Sequence, residues 1–273
     1  MVKRPLGLSV HYLILTIVLI VMLFPLAWMF RVSVMSPGAS VALGDLFSSD
    51  FTLGNFTDLF STGNIGRYLF NSAAVALVVG ISNIFFAFMV AYVLARSRSF
   101  ATKVLFTTVV VVLMIPAHIL IVPLYVLMLE VRLYDTFWAL ILPWLLYPIG
   151  IFLVKQYIET IPPSMEEAAR IDGAGELRIL TTVLMPLCKP ALAVLAIQVF
   201  FINWNSFLFP FILTSSEELR TLPVGLAHYQ GQQAIDWQHL MAGSTVAVIP
   251  VVVLFLFLQK QIVSGITAGG IKQ

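Results

Sequence analysis

A run of amide, indole and hydroxyl side chains interrupts an otherwise apolar stretch. The run consists of Asn203, Trp204, Asn205 and Ser206. Such groups are costly in apolar surroundings unless they bond to a neighbouring helix, to backbone or to water. One interpretation is that they form hydrogen bonds between helices. The other is that they line a route for a polyhydroxylated solute, whose hydroxyl groups bond the amides while Trp204 stacks on the apolar face of a sugar.

His118 is a second polar side chain inside a predicted apolar helix, two residues after Pro116. Proline leaves a helix carbonyl without its usual donor, and a neutral imidazole can bond to that carbonyl. A lone histidine lacks the partner ligands that a metal site requires. His118 is therefore interpreted either as a satisfied structural residue or as a hydrogen-bonding group that faces a pore.

The sequence contains no recognisable catalytic arrangement. It has no phosphate-cradling P-loop, no G-x-S-x-G and no H-E-x-x-H. The single Cys188 excludes an internal disulfide, and free cysteines are most often small buried apolar residues. We therefore expect a protein that is not an enzyme and that binds no cofactor or metal itself. A membrane-embedded enzyme would need a nucleophile, base or metal cluster that is not visible here.

The composition is that of an integral membrane protein. Hydrophobic residues make up 60% of the chain and charged residues 10%, and the mean hydropathy is +1.00. A soluble domain carries about 25% charged residues. The formal net charge of +2 is too small to indicate nucleic acid as a partner.

Six apolar stretches are long enough to cross a bilayer as helices, since a crossing takes roughly 20 residues. They cover residues 12–30, 69–95, 104–129, 137–157, 190–213 and 240–262. Continuous apolar runs favour helices over barrel strands, so we predict an all-α fold. The first stretch exceeds the h-region of a signal peptide and is interpreted as a retained anchor. Residues 33–66 are predicted to form a cap with a short amphipathic helix at about 53–60.

The distribution of Lys and Arg predicts that both termini lie in the cytoplasm. In this orientation the cytoplasmic set is Lys3, Arg4, Arg96, Arg98, Lys103, Lys155, Arg170, Arg178, Lys189, Lys260 and Lys272. The external set is Arg31, Arg67, Arg132 and Arg220. The count of 11 against 4 places the 158–189 segment and the 263–273 tail inside, and the 33–66 cap and the 214–239 loop outside.

No Asp, Glu, Lys or Arg lies in the middle third of any predicted span. Intramembrane carboxylates usually mark proton or sodium relays, and intramembrane arginines mark voltage sensors. Their absence argues against an ion-coupled carrier. A self-sufficient secondary carrier or channel nevertheless remains the alternative class of transporter.

The 158–189 segment is the longest polar stretch between two apolar ones. Ser164 can cap a helix that places Glu166 and Glu167 in its first turn, where the helix dipole favours negative charge. Gly173 is expected to end this helix in the left-handed conformation. A second helix is expected over residues 176–183 and should end at Pro186. Two capped helices around a glycine corner indicate a docking surface more than a simple connector.

These residues resemble the EAA loop of permease subunits in binding-protein-dependent ABC importers. The family pattern is EAA, three residues, G, nine residues and I-x-L-P. Here Glu167, Ala168, Ala169, Gly173 and Pro186 match it, with Val183 and Met185 at the Ile and Leu positions. The form EAARIDGAG is typical of the carbohydrate-uptake branch.

The resemblance extends over the whole chain. It includes WNSFLFP at residues 204–210, TLPVGL at 221–226 and the tail IVSGITAGGIKQ at 262–273. It is strongest to the second permease subunit of maltose-type and glycerol-phosphate-type importers. The implied fold is that of a type I importer permease in the cytoplasmic (inner) membrane of a bacterium or archaeon.

The resemblance implies roles for particular residues. The residues expected to couple to an ATPase are Glu166, Glu167, Ala168, Ala169, Arg170, Asp172, Gly173 and Pro186. The tail residues expected to contact the ATPase are Gly265, Gly269, Gly270 and Lys272. The candidates for the solute path are Asn203, Trp204, Asn205, Ser206 and His118.

The resemblance also implies partners. It predicts a second homologous permease, two cytoplasmic ATPase subunits that carry ATP and Mg, and an external sugar-binding protein. The solute would be an oligosaccharide, a disaccharide or a related polyol or glycerol-phosphate compound. Membrane lipid surrounds the complex, and no nucleic acid is expected.

Overall fold

The computed structural model describes residues 6–42, 44–45, 50–231 and 235–270. Three of the charged residues used above, Lys3, Arg4 and Lys272, lie outside the described residues. The α-helices in chain order are α1 (Leu6–Ser33), α2 (Gly54–Ser61), α3 (Ile65–Arg96), α4 (Phe100–Leu113), α5 (Ile121–Glu130), α6 (Phe137–Ile141), α7 (Pro148–Glu159), α8 (Ser164–Ile171), α9 (Glu176–Arg178), α10 (Met185–Leu187), α11 (Lys189–Trp204), α12 (Leu208–Leu213), α13 (Leu222–Ala227) and α14 (Trp237–Gly270). Among the described residues the only extended pairing is an isolated bridge between Met35 and Phe51. The predicted all-α fold is confirmed.

Four helical stretches are long and apolar enough to cross a membrane. They are Val10–Ser33, Ile65–Arg96, Phe137–Glu159 and Trp237–Lys260. Two further stretches pass the same test only as bent pairs, Phe100–Leu113 with Ala117–Glu130 and Glu176–Leu187 with Lys189–Trp204. The described residues therefore provide four spans, or up to six if each bent pair is one span.

The apolar stretch over residues 104–129 is not one continuous helix. It bends by 90° between α4 and the 3₁₀ helix Ala117–Leu120 that precedes α5. Pro116 stands at the bend with ψ of 121°, an extended conformation that no helix continues. Proline also lacks the N–H that a helix requires. The hydropathy of this stretch alone therefore does not reveal that its helix is broken.

Two other apolar stretches are also interrupted. Within 137–157 the 3₁₀ helix Leu142–Trp144 separates α6 from α7; Pro143 lies in this 3₁₀ helix, and Pro148 is the first residue of α7. Within 190–213 the helix ends at Trp204 and resumes at Leu208 as α12. These breaks interrupt the helices at positions that a hydropathy profile treats as helix interior.

The chain divides into two compact units, of which the first is Met1–Gly66 with Gly225–Ile249. In this unit the buried Asn55 of α2 donates through Nδ2 to the carbonyl oxygens of Ser33 and Met35, both at 2.8 Å. Gln238 donates to the carbonyl of Ala39, also at 2.8 Å. The start of the 33–66 cap is thus held by side-chain amides. The amphipathic helix predicted at 53–60 is confirmed as α2.

The second unit is Arg67–Val224 with Pro250–Gln273. Its core is formed mainly by apolar residues of α3, α7 and α11. Gly150 of α7 permits a close approach, because a Cβ at this position would lie 2.7 Å from Leu195 Cδ1 and 3.4 Å from Ala87 Cβ.

Candidate functional site

A cavity of about 430 Å³ lies in the second unit, where three helical stretches are interrupted. Polar and aromatic groups in its wall come from each interruption. They are His118, Trp144, Tyr147, Asn203, Asn205 and Ser206. Because the interruptions face the same space, the cavity offers amides, a hydroxyl, an imidazole and aromatic rings together. Such a wall suits a solute with both hydroxyl groups and apolar ring faces.

The two amides of the cavity are oriented by their own helix. Asn203 Nδ2 donates to the carbonyl of Val199, and Asn205 Nδ2 donates to that of Phe201, both at 2.8 Å. Asn203 is 9% exposed, whereas Asn205 caps the end of α11 and is exposed. Each amide also has an oxygen that can accept a hydrogen bond.

His118 is not in the middle of a helix as the sequence predicts. It lies in the 3₁₀ turn Ala117–Leu120, is exposed, and has its ring centroid 5.8 Å from that of Phe209. Trp204 is not among the lining residues of the cavity. It is 2% exposed and stacks on Phe200 with the ring centroids 5.4 Å apart. In the structure His118 therefore lines the same cavity as the two asparagines, whereas the Trp204 side chain is buried in the core.

The aromatic part of the wall is absent from the sequence-based set of candidates. Trp144 and Tyr147 stack with centroids 5.5 Å apart and planes inclined by 15°. Trp144 also meets Phe209 edge to face at 4.6 Å. The sequence signal for this pair is the proline spacing, because Pro143 and Pro148 interrupt the helix around it.

Asn83 of α3 holds this interruption in place. It is fully buried, and its Nδ2 donates to the carbonyl of Trp144 at 2.8 Å, while its Oδ1 accepts from the Tyr147 N–H at 2.6 Å. The neighbouring Ser82 donates to the carbonyl of Leu145 at 3.1 Å. An amide in the middle of an apolar helix was the available signal for Asn83, since such groups require a partner.

The 158–189 segment contains the predicted glycine corner. Gly173 has φ of 80°, the left-handed conformation expected for it. The Gly173 N–H bonds the carbonyl of Arg170 at 3.0 Å, and the Ala174 N–H bonds that of Ala169 at 2.9 Å. This pair of bonds is a Schellman motif, which satisfies the last carbonyls of α8.

Two details of this segment differ from the sequence-based prediction. Ser164 is the first residue of α8, follows Pro163 and makes no capping bond. The second helix does not end at Pro186. It runs from Glu176 to Leu187 and includes a π-helical stretch, Ile179–Leu184. A wide π turn changes the local hydrogen-bond pattern, which lets the helix continue past a residue that lacks an N–H.

The two adjacent glutamates of α8 differ in their exposure to solvent. The side chain of Glu166 is 3% exposed and accepts a hydrogen bond from Arg96 Nε at 2.7 Å. Glu167 and Ala168 are exposed, and so is Asp172 beside the corner. Three large apolar residues are also exposed on this segment, Met165 at 44%, Ile171 at 86% and Leu177 at 74%.

An ion pair between Arg170 and Glu176, called the clasp below, joins the two helices of the segment across the glycine corner. Arg170 Nε donates to Glu176 Oε1 at 3.0 Å, and Arg170 Nη2 donates to Glu176 Oε2 at 3.3 Å. The hydrogen bond from Arg170, followed by that from Tyr92, holds the pKa of Glu176 below its usual range. The corner is therefore closed by a charged pair as well as by the backbone.

Cys188 follows α10 and is fully buried. Burial raises its pKa to about 11, so the thiol is a poor nucleophile at neutral pH. Among the described residues, no group of three His, Cys, Asp or Glu side chains could hold a metal ion. In the tail, Gly265, Gly269 and Gly270 belong to α14, and Lys272 lies outside the described residues.

Comparisons with known proteins identify a family for this chain. The family model described as "Binding-protein-dependent transport system inner membrane component" matches residues 83–268. The arabinooligosaccharides transport system permease protein AraQ of Halalkalibacterium halodurans is 36% identical over 225 residues, which cover 82% of this chain and 81% of that protein. The sulfoquinovosyl glycerol transport system permease protein SmoH of Agrobacterium fabrum is 34% identical over 269 residues, which cover 97% and 94%.

A solved structure shares the fold. A chain of a bacterial ABC transporter involved in the import of the acidic polysaccharide alginate has a TM-score of 0.81 and 22% identity, with 95% of this chain and 98% of that chain covered. The resemblance that the EAA pattern indicated is thereby confirmed. The chain belongs to the family of binding-protein-dependent transport system inner membrane components, and it is a multi-pass permease with the type I fold of ABC importers.

Proposed function

We propose that this chain is one of two permease subunits in an ATP-driven importer of a sugar. It forms half of the translocation path and receives the motion of an ATPase through the 158–189 segment. The observation that carries the proposal is the solvent-exposed face of that segment, which we call its outer face. There Ile171 and Leu177 are 86% and 74% exposed beside the exposed Glu167 of the EAA pattern.

The outer face has the chemistry of a docking surface. Large apolar side chains on a water-facing segment cost free energy unless a partner covers them. The Schellman turn at Gly173 and the clasp between Arg170 and Glu176 give this face a defined shape. A defined shape reduces the entropy lost when a partner binds.

Membership of the family supports a set of partners. Two ATPase subunits in the cytoplasm would bind ATP and Mg, and one of them would receive the 158–189 segment of this chain. A second, homologous permease would complete the path. An external binding protein would deliver the sugar. A solved alginate transporter with a similar fold is in complex with an alginate pentasaccharide-bound periplasmic protein, which supports this partner. Both termini would lie in the cytoplasm, and Gly265, Gly269, Gly270 and Lys272 would lie towards the ATPases.

The proposed solute is an oligosaccharide, a disaccharide or a related polyol or glycerol-phosphate compound. Relatives named for arabinooligosaccharides, sulfoquinovosyl glycerol and trehalose support this class. The cavity at Asn203, Asn205 and His118 supplies groups that bond hydroxyls, and Trp144 supplies a ring on which a sugar face can stack. We assign this cavity to the part of the path contributed by this chain.

Reconstitution tests the proposal. Proteoliposomes that contain this chain with its partner permease and ATPases are expected to take up sugar only with ATP and the loaded binding protein. Liposomes that contain this chain alone are expected to show no flux. Gradient-driven flux through the isolated chain would replace the importer with the alternative, a self-sufficient secondary carrier or channel.

Replacement of the cavity amides is expected to slow uptake. Asn203→Leu and Asn205→Leu each remove the hydrogen-bonding groups of one amide, a loss of about 1–1.5 kcal/mol. This corresponds to roughly a tenfold fall in the uptake rate of the reconstituted importer. Gln198→Leu is the matched control, because Gln198 lies on the same helix but not in the cavity wall. Normal uptake by both asparagine variants would leave these residues with a structural role alone.

A further inference from the structure

Glu166 is buried against the end of α3. Its side chain is 3% exposed, and the Arg96 side chain with which it pairs is 18% exposed. Arg96 Nε donates to Glu166 Oε1 at 2.7 Å, and Arg96 Nη2 donates to the carbonyl of Ile161 at 2.9 Å. The arginine therefore holds both α8 and the turn that precedes it.

A second set of bonds joins the same elements. The Tyr92 hydroxyl lies one turn before Arg96 and is 3.0 Å from Glu176 Oε2 and 3.4 Å from Glu166 Oε2. Arg170 Nη2 lies 3.4 Å from that hydroxyl and 4.0 Å from Glu166 Oε2. Five side chains thus bind α8 and α9 to one end of α3, and not only to each other.

Removing one partner from a buried ion pair leaves a charge without compensation. The Arg96–Glu166 contact is therefore expected to persist when the 158–189 segment is displaced, so that α3 moves with it. A looser, solvated pair would separate under the same displacement.

The other functional contact of α3 lies thirteen residues earlier. Asn83 holds the Trp144–Tyr147 interruption in the cavity wall, and α3 is an uninterrupted helix between Asn83 and Arg96. At 1.5 Å per residue, these positions are about 20 Å apart along the axis. One rigid element thus touches the docking segment at one end and the cavity wall at the other.

We propose that α3 transmits the motion of the docking segment to the cavity, with Glu166 and Arg96 as positioning residues at its driven end. The inference rests on the proposed docking of the 158–189 segment to an ATPase. It assigns different roles to the two adjacent glutamates of α8. Glu167 faces the partner, and Glu166 attaches the segment to its own chain.

The test uses the reconstituted importer and a reporter in the cavity. Ser206→Cys, in a background with Cys188→Ala, gives a thiol whose labelling rate reports the accessibility of the cavity. With the normal Glu166, ATP is expected to change this rate at least fivefold. With Glu166→Gln, ATPase copurification is expected to stay within twofold, while the ATP-dependent change in labelling disappears and uptake per ATP hydrolysed falls at least tenfold.

Two further variants separate positioning from folding. The charge swap Arg96→Glu with Glu166→Arg is expected to restore at least a third of the ATP-dependent labelling change. Glu159→Gln is the control. Glu159 lines one cavity together with Arg96 and Glu166, but it pairs with Lys155 at 2.8 Å and not with a residue of α3. It should behave as the parent protein does.

The outcomes distinguish a failure of transmission through α3 from a failure of docking. If Glu166→Gln responds to ATP as the parent does, the transmission through α3 is overturned while docking stands. The same holds if the charge swap folds and copurifies but stays unresponsive. If the parent does not copurify with an ATPase or shows no ATP-dependent labelling, both the docking proposal and the transmission through α3 are overturned.

Discussion

Replacing Ile171 and Leu177 together with aspartate is expected to abolish ATP-driven uptake. Covering a large aliphatic side chain contributes about 1.5–3 kcal/mol, so the pair contributes about 3–6 kcal/mol to docking. A loss of this size weakens binding by at least about 100-fold. Copurification of the ATPase with the tagged chain measures binding, and sugar uptake by right-side-out vesicles measures transport.

The double variant should still fold, because both side chains are exposed in this chain, at 86% and 74%. Substitutions at such exposed positions usually change the free energy of unfolding by less than about 0.5 kcal/mol. Phe100→Asp is the matched control. Phe100 is 83% exposed and lies between Arg98 and Lys103, in another connection that is predicted to be cytoplasmic, outside the docking segment. ATPase retention by the double variant as strong as that of Phe100→Asp would contradict the docking surface.

The glycine corner at Gly173 could be predicted from the sequence because its determinants are local. Gly173 follows a helix-forming run, and the left-handed conformation it adopts is inexpensive for glycine alone. The fold class followed from composition in the same way. Both inferences depend on residues that are near one another in the chain, and neither requires knowledge of a distant partner.

The polar cavity could be predicted only in part. Asn203 and Asn205 were conspicuous as amides in an apolar stretch, yet the hydropathy of residues 104–129 and 190–213 gave no sign of where the helices break. Trp144 reaches the cavity because the backbone leaves the helix at Leu142–Trp144. A side chain's direction after such a break is determined by tertiary contacts, here those with Asn83.

The sequence alone did not indicate that Glu166 is buried while Glu167 is exposed. Adjacent residues on a helix point about 100° apart, so one of the two must face more inward than the other. Which one does so depends on Arg96, seventy positions earlier in the chain. Charge patterning therefore identified the segment, and only the packing against α3 distinguished its two glutamates.

Asn83→Leu is expected to destabilise the protein more than any other single change considered above. Leucine cannot replace the hydrogen bonds to the Tyr147 N–H and the Trp144 carbonyl, which would lose their partner in Asn83. Each lost partner of a buried group costs about 1–3 kcal/mol, for a total of about 2–6 kcal/mol. For a chain of this size we expect the apparent melting temperature in detergent to fall by roughly 10 °C.

The reference variant for this measurement is Gly80→Ala, on the same helix one turn earlier. A Cβ at Gly80 meets no atom within 4 Å outside its own helix, and alanine favours the helix more than glycine does. Its melting temperature should equal or exceed that of the parent. Asn83→Leu should also lower uptake, because the Trp144–Tyr147 wall loses its anchor. A melting temperature for Asn83→Leu equal to that of Gly80→Ala would mean that the broken helix needs no support from α3, and α3 could then not move the cavity wall through this contact.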